Sequence, residues 1–245
     1  MITGPAETPS YQPPTEFSVG RTLGDALTVL SQHFVPFIAI AALAGLPSLA
    51  YRQLEHTRSG ASAWILILLN LVVESLCEAM ILYGTFQALR GRPVRIGESI
   101  GVGLRYTIPV VIASLAIGVV TGIGFILLIV PGLIALTMFF VTEPAIVVER
   151  LGPFDGMGRS IDLTRGYRWP IFGLVFVVTI VSIVVGAIIG ATLLHPETLL
   201  WYSIALFVWE ALARAYQSVL VAIVYHDLRV LKEGIDLDRI ASVFD

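Results

Sequence analysis

Long apolar stretches alternate with short polar segments along most of this chain. A transmembrane helix needs about 20 mostly apolar residues. Stretches of about this length cover residues 33–51, 63–89, 107–130, 132–149, 170–194 and 200–225. Val130-Pro131-Gly132 and His195-Pro196-Glu197 mark points where a helix must end, because Pro lacks an amide donor and Gly tolerates positive φ. The pattern predicts an all-α, polytopic membrane protein with six transmembrane helices.

The landmarks of the chain recur at a spacing of about 60 residues. Gly97-Glu-Ser-Ile, Tyr106 and Pro109 in one copy match Gly158-Arg-Ser-Ile, Tyr167 and Pro170 in the next, and a fainter copy begins at Ser18. Internal repeats of this kind define an architecture. We expect three helical hairpins, each preceded by a short cytoplasmic amphipathic helix. The predicted repeats cover about 17–89, 90–149 and 150–229, between a disordered Pro-rich tail at 1–16 and a cytoplasmic C-terminal tail at 230–245.

The composition agrees with a membrane location. Hydrophobic residues make up 56% of the chain, charged residues only 13%, and the mean hydropathy is +0.86. Soluble domains carry about 25% charged residues, so lipid must cover much of this apolar surface. The net charge of −3 gives no argument for a nucleic-acid partner. The single cysteine, Cys77, excludes a disulfide framework and a Cys-based metal site.

The distribution of Lys and Arg predicts the orientation. With six spans, twelve basic residues fall on one side of the membrane, and only Arg52 and Arg58 fall on the other. The side rich in Lys and Arg is normally cytoplasmic. We therefore expect both termini in the cytoplasm.

Arginines beside the amphipathic segments form a candidate surface for anionic lipid headgroups or a cytoplasmic protein partner. The segment 152–168 shows the amphipathic pattern best, with Phe154 on its apolar side. The simpler interpretation is a lipid anchor, and the alternative is a docking surface for a soluble protein. The candidate residues are Arg90, Arg92, Arg95, Arg105, Arg159, Arg165 and Arg168.

Polar residues inside the apolar stretches predict a second candidate site. Residues 70, 74 and 78 share one face of the second span, and residues 210, 214 and 217 share one face of the sixth. Both sets lie at similar depth, so we expect the two faces to meet. The structural interpretation is an i,i+4 ion pair of Glu210 with Arg214 plus interhelical hydrogen bonds. The functional interpretation is a polar cavity in which carboxyl groups without a guanidinium partner are protonated, hydrated or bound to a cation. The candidate residues are Asn70, Glu74, Glu78, Glu143, Glu210, Arg214 and Gln217.

Three motifs resemble a known family. They are Phe140-Val-Thr-Glu-Pro-Ala-Ile-Val-Val-Glu149, Arg159-Ser-Ile-Asp-Leu-Thr-Arg-Gly166 and Tyr225-His-Asp-Leu-Arg229. They are similar to the glycerophosphoryl diester phosphodiesterase membrane-domain family of bacterial integral-membrane proteins, over nearly the whole chain beyond residue 17. The resemblance implies a bacterial inner membrane. It does not imply phosphodiesterase activity, because the acidic and His cluster of the soluble catalytic domain is absent from this sequence.

No nucleotide-binding loop, nucleophile constellation or His-based metal pair occurs in the sequence, so we expect no enzymatic activity, cofactor or metal. The small-residue pairs Gly118-xxx-Gly122 and Gly186-xxx-Gly190 favour packing within the bundle, with homo-oligomerisation as the alternative. The first functional hypothesis is a non-catalytic scaffold or accessory protein that binds a cytoplasmic partner or anionic lipid. The alternative is a small transporter or channel that uses the intramembrane Glu and Arg residues.

Overall fold

The computed structural model describes residues 16–54, 60–90, 92, 95–193 and 195–234. These residues form helices and connections, without a strand in any of the described ranges. Most of the predicted tails, 1–16 and 230–245, lies outside the described residues, but residues 230–233 belong to the last helix, so the predicted start of the C-terminal tail at 230 was wrong. In chain order the helices are α1 (Val19–Gln32), α2 (Phe34–Leu54), α3 (Gly60–Leu89), α4 (Ile96–Leu127), α5 (Ile129–Met138), α6 (Thr142–Glu149), α7 (Pro153–Thr164), α8 (Arg168–Leu193) and α9 (Leu199–Glu233).

Several of these helices have the length and composition of membrane spans. Five described segments are long and apolar enough to cross a membrane: Ile67–Leu89, Gly97–Leu127, Ile129–Glu149, Arg168–Leu193 and Leu199–Glu233. A sixth span is obtained only if α1 and the following Phe34–Leu49 count together, and these two helices meet at a bend of 95°. The chain therefore has the helices of a multi-pass membrane protein, and the repeated-hairpin arrangement stays a prediction.

The fourth span is not one helix, contrary to the prediction for residues 132–149. It consists of α5 and α6, which are separated after Met138. Ser160 of α7 satisfies backbone groups at this break, because its hydroxyl donates to the Met138 carbonyl at 2.8 Å and accepts from the Val141 amide at 3.2 Å. The buried hydroxyl of Thr164 also reaches the Met138 carbonyl, at 3.3 Å. These bonds satisfy the Met138 carbonyl and the Val141 amide where the helix ends inside the bundle.

The turn expected at Val130-Pro131-Gly132 lies slightly earlier. α4 ends at Leu127, Leu128 is extended, and α5 begins at Ile129, so that Pro131 lies in the first turn of a helix. The prediction that a helix ends at Pro131 was therefore wrong, because Pro131 lies at the start of α5. The amide groups of a first helical turn have no intrahelical partner, so the missing N–H of Pro131 costs nothing there.

The predicted amphipathic helices are separate in two places and continuous with a span in the third. α1 and α7 are distinct helices, whereas residues 97–106 are simply the beginning of α4. The kink between α7 and α8 includes Gly166, whose φ is +92°. The matching position in the second repeat is Arg105. A residue with a side chain disfavours that conformation, so α4 continues through it.

α9 lies at the centre of the bundle. It packs against α1, α2, α3 and α8, and it presents a row of small, fully buried residues at Ala211, Ala215 and Ala222. α4 and α8 keep large apolar side chains exposed, for example Ile126 at 85%. The helical pairs Gly118/Gly122 and Gly186/Gly190 make no close contact with another described helix, since a Cβ at any of them would meet no atom of the described residues within 4 Å. The expectation that these glycines pack helices within the bundle was therefore wrong.

Candidate functional site

A polar cavity of about 570 Å³ lies among α3, α6, α8 and α9. Its size is within the usual range for small-molecule sites, about 300–1,000 Å³. Six of the predicted intramembrane residues line it, and the seventh, Asn70, lies beside it through a contact with Glu74. The six are Glu74, Glu78, Glu143, Glu210, Arg214 and Gln217.

Arg214 connects three helices at one side of the cavity. Its Nε donates to Glu74 Oε1 of α3 at 3.2 Å, and its Nη1 donates to the Ala41 carbonyl of α2 at 3.2 Å. Asn70 Nδ2 donates to the other Glu74 oxygen at 3.4 Å. The Glu74 carboxylate is therefore neutralised by an interhelical ion pair. The sequence had suggested Glu210, one turn before Arg214, as the partner.

Glu78 and Glu143 face each other across the cavity. Their side chains are within hydrogen-bonding reach. The helix break after Met138 brings Glu143 here, because it makes residue 143 part of the first turn of α6. Two carboxyl groups this close share a proton or enclose a cation, because two adjacent negative charges repel each other.

The cavity holds more acid than base. Four carboxyl groups line it with one guanidinium, and Ser182, Ser218 and Gln217 add neutral polar groups. Trp209 also lines the cavity, and Trp side chains attract cations through their ring faces. The arrangement is suited to a positively charged guest of modest size. Within the described ranges, no three His, Cys, Asp or Glu residues are grouped so that they could hold a metal ion.

A second group of charges joins α6, α7 and α9, and we call Glu149, Arg159, Tyr225, Arg229 and Glu233 the closing cluster. Arg159 Nε donates to both Glu149 oxygens at 2.8 Å, and its Nη2 pairs with Glu233. The Tyr225 hydroxyl donates to Glu149 Oε1 at 2.9 Å and accepts from Arg229 Nη1 at 3.2 Å. Burial by itself would lower the pKa of Arg159, but the bonds to Glu149 and Glu233 outweigh it and raise that pKa. Arg159 therefore stays charged and holds the three helices together.

A third polar region, which we call the basic pocket, has a volume of about 730 Å³. Tyr83, Gln87 and Tyr106 form a buried polar floor. The rim consists of exposed side chains at the start of α4, in the preceding segment and at the end of α6. These rim residues are Arg92, Arg95, Glu98, Arg105 and Arg150.

A family model described as a domain of unknown function (DUF7847) matches residues 93–228, which is more than half of the chain. The chain belongs to this family. No curated protein and no solved structure matches this chain. The resemblance to the glycerophosphoryl diester phosphodiesterase membrane-domain family is not tested by this match and stays a prediction.

The DUF7847 region contains most residues of the cavity and of the basic pocket, and three of the five residues of the closing cluster. The structure places the arginines of the predicted surface in different environments. Arg92, Arg95 and Arg105 line the basic pocket, whereas Arg159 is held within the closing cluster. Arg165 is exposed, and Arg90 and Arg168 are half-buried. The seven arginines therefore do not form a single surface.

Sequence reasoning missed the closing cluster, although all of its residues except Glu233 stand in the three motifs that carried the family resemblance. The Tyr225-His-Asp-Leu-Arg229 motif supplies Tyr225, whose hydroxyl bonds to Glu149. It also supplies Asp227 and Arg229, which form ion pairs. The Arg159-Ser-Ile-Asp-Leu-Thr motif supplies Arg159 together with the hydroxyls that satisfy the Met138 break. An i,i+4 Arg–Glu pair at 229 and 233 was the signal available from sequence. In this chain the residues of these motifs form contacts that join α5, α6, α7 and α9.

Proposed function

We propose that this protein is a small membrane transporter that binds an organic cation in the polar cavity and releases a proton from the Glu78–Glu143 pair. The excess of carboxyl groups in the cavity carries the proposal. Glu74 already has Arg214 as a partner, whereas Glu78 and Glu143 lie close to each other and need an exchangeable positive charge between them. A proton satisfies them in the empty state, and a cation replaces that proton when the site is filled.

The location that goes with this function is a bacterial inner membrane with both termini in the cytoplasm. The excess of Lys and Arg at one end of the predicted topology supports this orientation. The cavity residues Glu74 and Glu78 lie inside the span Ile67–Leu89, and Glu143 lies inside Ile129–Glu149. A charged group at such depth is costly, which supports a functional reason for retaining several of them.

The experiment measures cation binding and proton release together. Tetraethylammonium and tetraphenylphosphonium are added to the purified protein in weakly buffered detergent solution, with calorimetry for binding and a pH indicator for protons. We expect Glu78→Gln and Glu143→Gln to weaken binding by about tenfold or more, which is about 1.4 kcal/mol, and to abolish proton release. Glu98→Gln is the control, because Glu98 lies in the basic pocket and outside the cavity. Binding without proton release, or equal losses in all three variants, contradicts the proposal.

A non-catalytic accessory role, with a soluble cytoplasmic partner, is the second proposal. It is supported by exposed side chains near the kink between α7 and α8, where Phe154 is 68% and Trp169 is 83% exposed and Arg165 lies between them in sequence. A photo-crosslinking residue at position 165 should capture one defined protein in cells, and the same residue at position 204, on the exposed apolar part of α9, should not. Identical capture patterns at both positions would remove the support for this role.

A further inference from the structure

The basic pocket shares no residue with the polar cavity and is not needed for the proposed transport chemistry. Four guanidinium groups and one carboxylate line it, which gives a net charge of +3. Arg95 Nη1 donates to Glu98 Oε1 at 3.0 Å, so the single acid of the pocket orients one of its arginines. The concentration of positive charge around a concave surface indicates an anionic ligand.

The buried floor offers further polar groups. Gln87 Nε2 donates to the Tyr83 hydroxyl at 2.7 Å, and the Tyr83 hydroxyl donates to Glu98 Oε2 at 3.4 Å. The side-chain oxygen of Gln87 is buried and has no hydrogen-bond partner among the described residues. Buried polar atoms are normally satisfied. This oxygen is therefore an unsatisfied acceptor beneath the arginine rim of the pocket.

The backbone at Arg150 gives independent support. Arg150 follows the last residue of α6 and has φ 56° and ψ 37°, and it is the single non-glycine residue with positive φ among the described residues. Its amide and that of Leu151 both donate to the Ile146 carbonyl, a helix ending at which Gly is the usual residue. Residues in sparsely populated backbone conformations cluster at functional sites. Here the strained position carries a guanidinium to the rim of the basic pocket.

We propose that the basic pocket binds a phosphoryl group, carried either by the headgroup of an anionic phospholipid or by a free phosphate compound. Guanidinium groups form paired hydrogen bonds with phosphate oxygens, which Lys cannot reproduce. Arg92, Arg105 and Arg150 carry such donors to the rim of the pocket. The position of the pocket at the beginning of α4, next to the expected membrane surface, suits a lipid headgroup as well as a solute.

Two measurements on the full-length protein distinguish the sources. In nanodiscs of phosphatidylcholine, calorimetry with inorganic phosphate detects a free-phosphate site. In nanodiscs that also contain phosphatidylglycerol, native mass spectrometry counts the anionic lipids that remain bound after release of the protein. The variants are Arg150→Gly and the double change Arg92→Gln with Arg105→Gln. The control is Arg165→Gln, which removes an exposed arginine outside the pocket.

We expect both pocket variants to reduce one of the two signals by about tenfold or more, while Arg165→Gln changes it less than twofold. Arg150→Gly replaces a strained residue by the one that adopts positive φ most readily, so its melting temperature should stay the same or rise while binding falls. This combination excludes unfolding as the cause of the loss. The proposal is overturned if neither measurement detects binding, or if Arg165→Gln weakens binding as much as the pocket variants.

Discussion

Arg21 and Asp227 are 206 residues apart in the chain, yet Arg21 Nη2 lies 3.0 Å from Asp227 Oδ2. The Asp227 side chain is completely buried, and its second oxygen lies 3.4 Å from His226 Nδ1. Arg21 belongs to the first turn of α1, and Asp227 lies two turns before the end of α9. The pair therefore links the amphipathic helix α1 to α9, the last helix of the bundle. The contact between α1 and α9 thus includes an ion pair in addition to apolar packing.

Replacing Asp227 by Asn should destabilise the protein. Removing one partner of a buried ion pair costs about 3–5 kcal/mol, and we expect about 2–3 kcal/mol here because the Arg21 side chain is 31% exposed. Thermal unfolding can be followed through labelling of Cys77, the single cysteine, which is buried in the native bundle. Combining Asp227→Asn with Arg21→Gln should recover part of the loss. Additive losses in the double variant would show that the two side chains do not stabilise each other.

The hydroxyl of Tyr225 should contribute more stability than that of Tyr216. Tyr225 bonds to the carboxylate of Glu149 at 2.9 Å, whereas Tyr216 bonds to the neutral carbonyl of Leu23 at 3.2 Å. Bonds to charged groups contribute about 1.5–3 kcal/mol and neutral bonds about 1 kcal/mol. Tyr225→Phe should therefore lower the melting temperature more than Tyr216→Phe. The reverse order would mean that Arg159 alone satisfies Glu149.

The positions of the spans could be predicted because length and hydropathy are local properties of the sequence. The apolar stretch at 170–194 corresponds to α8 at Arg168–Leu193, and the break at His195-Pro196-Glu197 lies between α8 and α9. The break after Met138 could not be predicted in this way. It depends on Ser160, which comes from a different helix and satisfies the open backbone groups.

The polar residues show a similar limit. Equal depth in two helices predicts that Glu74 and Arg214 meet, and they form an ion pair at 3.2 Å. Depth alone does not determine whether Glu74 or Glu210 pairs with Arg214, so Glu210 was an equally reasonable prediction. Arg159 appeared on the rim of an amphipathic segment and was assigned to a surface. Its engagement by Glu149 and Glu233 depends on how α6 and α9 approach α7, which no periodicity encodes.

Glu74→Gln should affect stability, not only binding, because it leaves the Arg214 guanidinium without its carboxylate partner. Both side chains are largely buried, with 17% of Arg214 and 33% of Glu74 exposed. We expect the double variant with Arg214→Gln to be more stable than the sum of the single losses implies, with a coupling of about 0.5–3 kcal/mol. The exposed pair of Arg95 and Glu98 provides the comparison, because the side chains are 68% and 48% exposed and such pairs contribute about 0–1 kcal/mol. Equal coupling in the two pairs would contradict a special role for Arg214 in joining the helices.

Two glycines of α7 should respond to alanine in opposite directions. A Cβ at Gly156 would lie 2.4 Å from Ile146 Cγ1, whereas a Cβ at Gly158 would meet no atom within 4 Å. Ile146 is completely buried and cannot move aside, so Gly156→Ala should cost about 1–3 kcal/mol by overpacking. Gly158→Ala should stabilise the helix by about 0.4–1 kcal/mol, since Ala loses less conformational entropy on folding than Gly. The temperature at which Cys77 becomes accessible to labelling measures both effects. A gain in stability from Gly156→Ala would mean that α7 does not pack against α6 as closely as described.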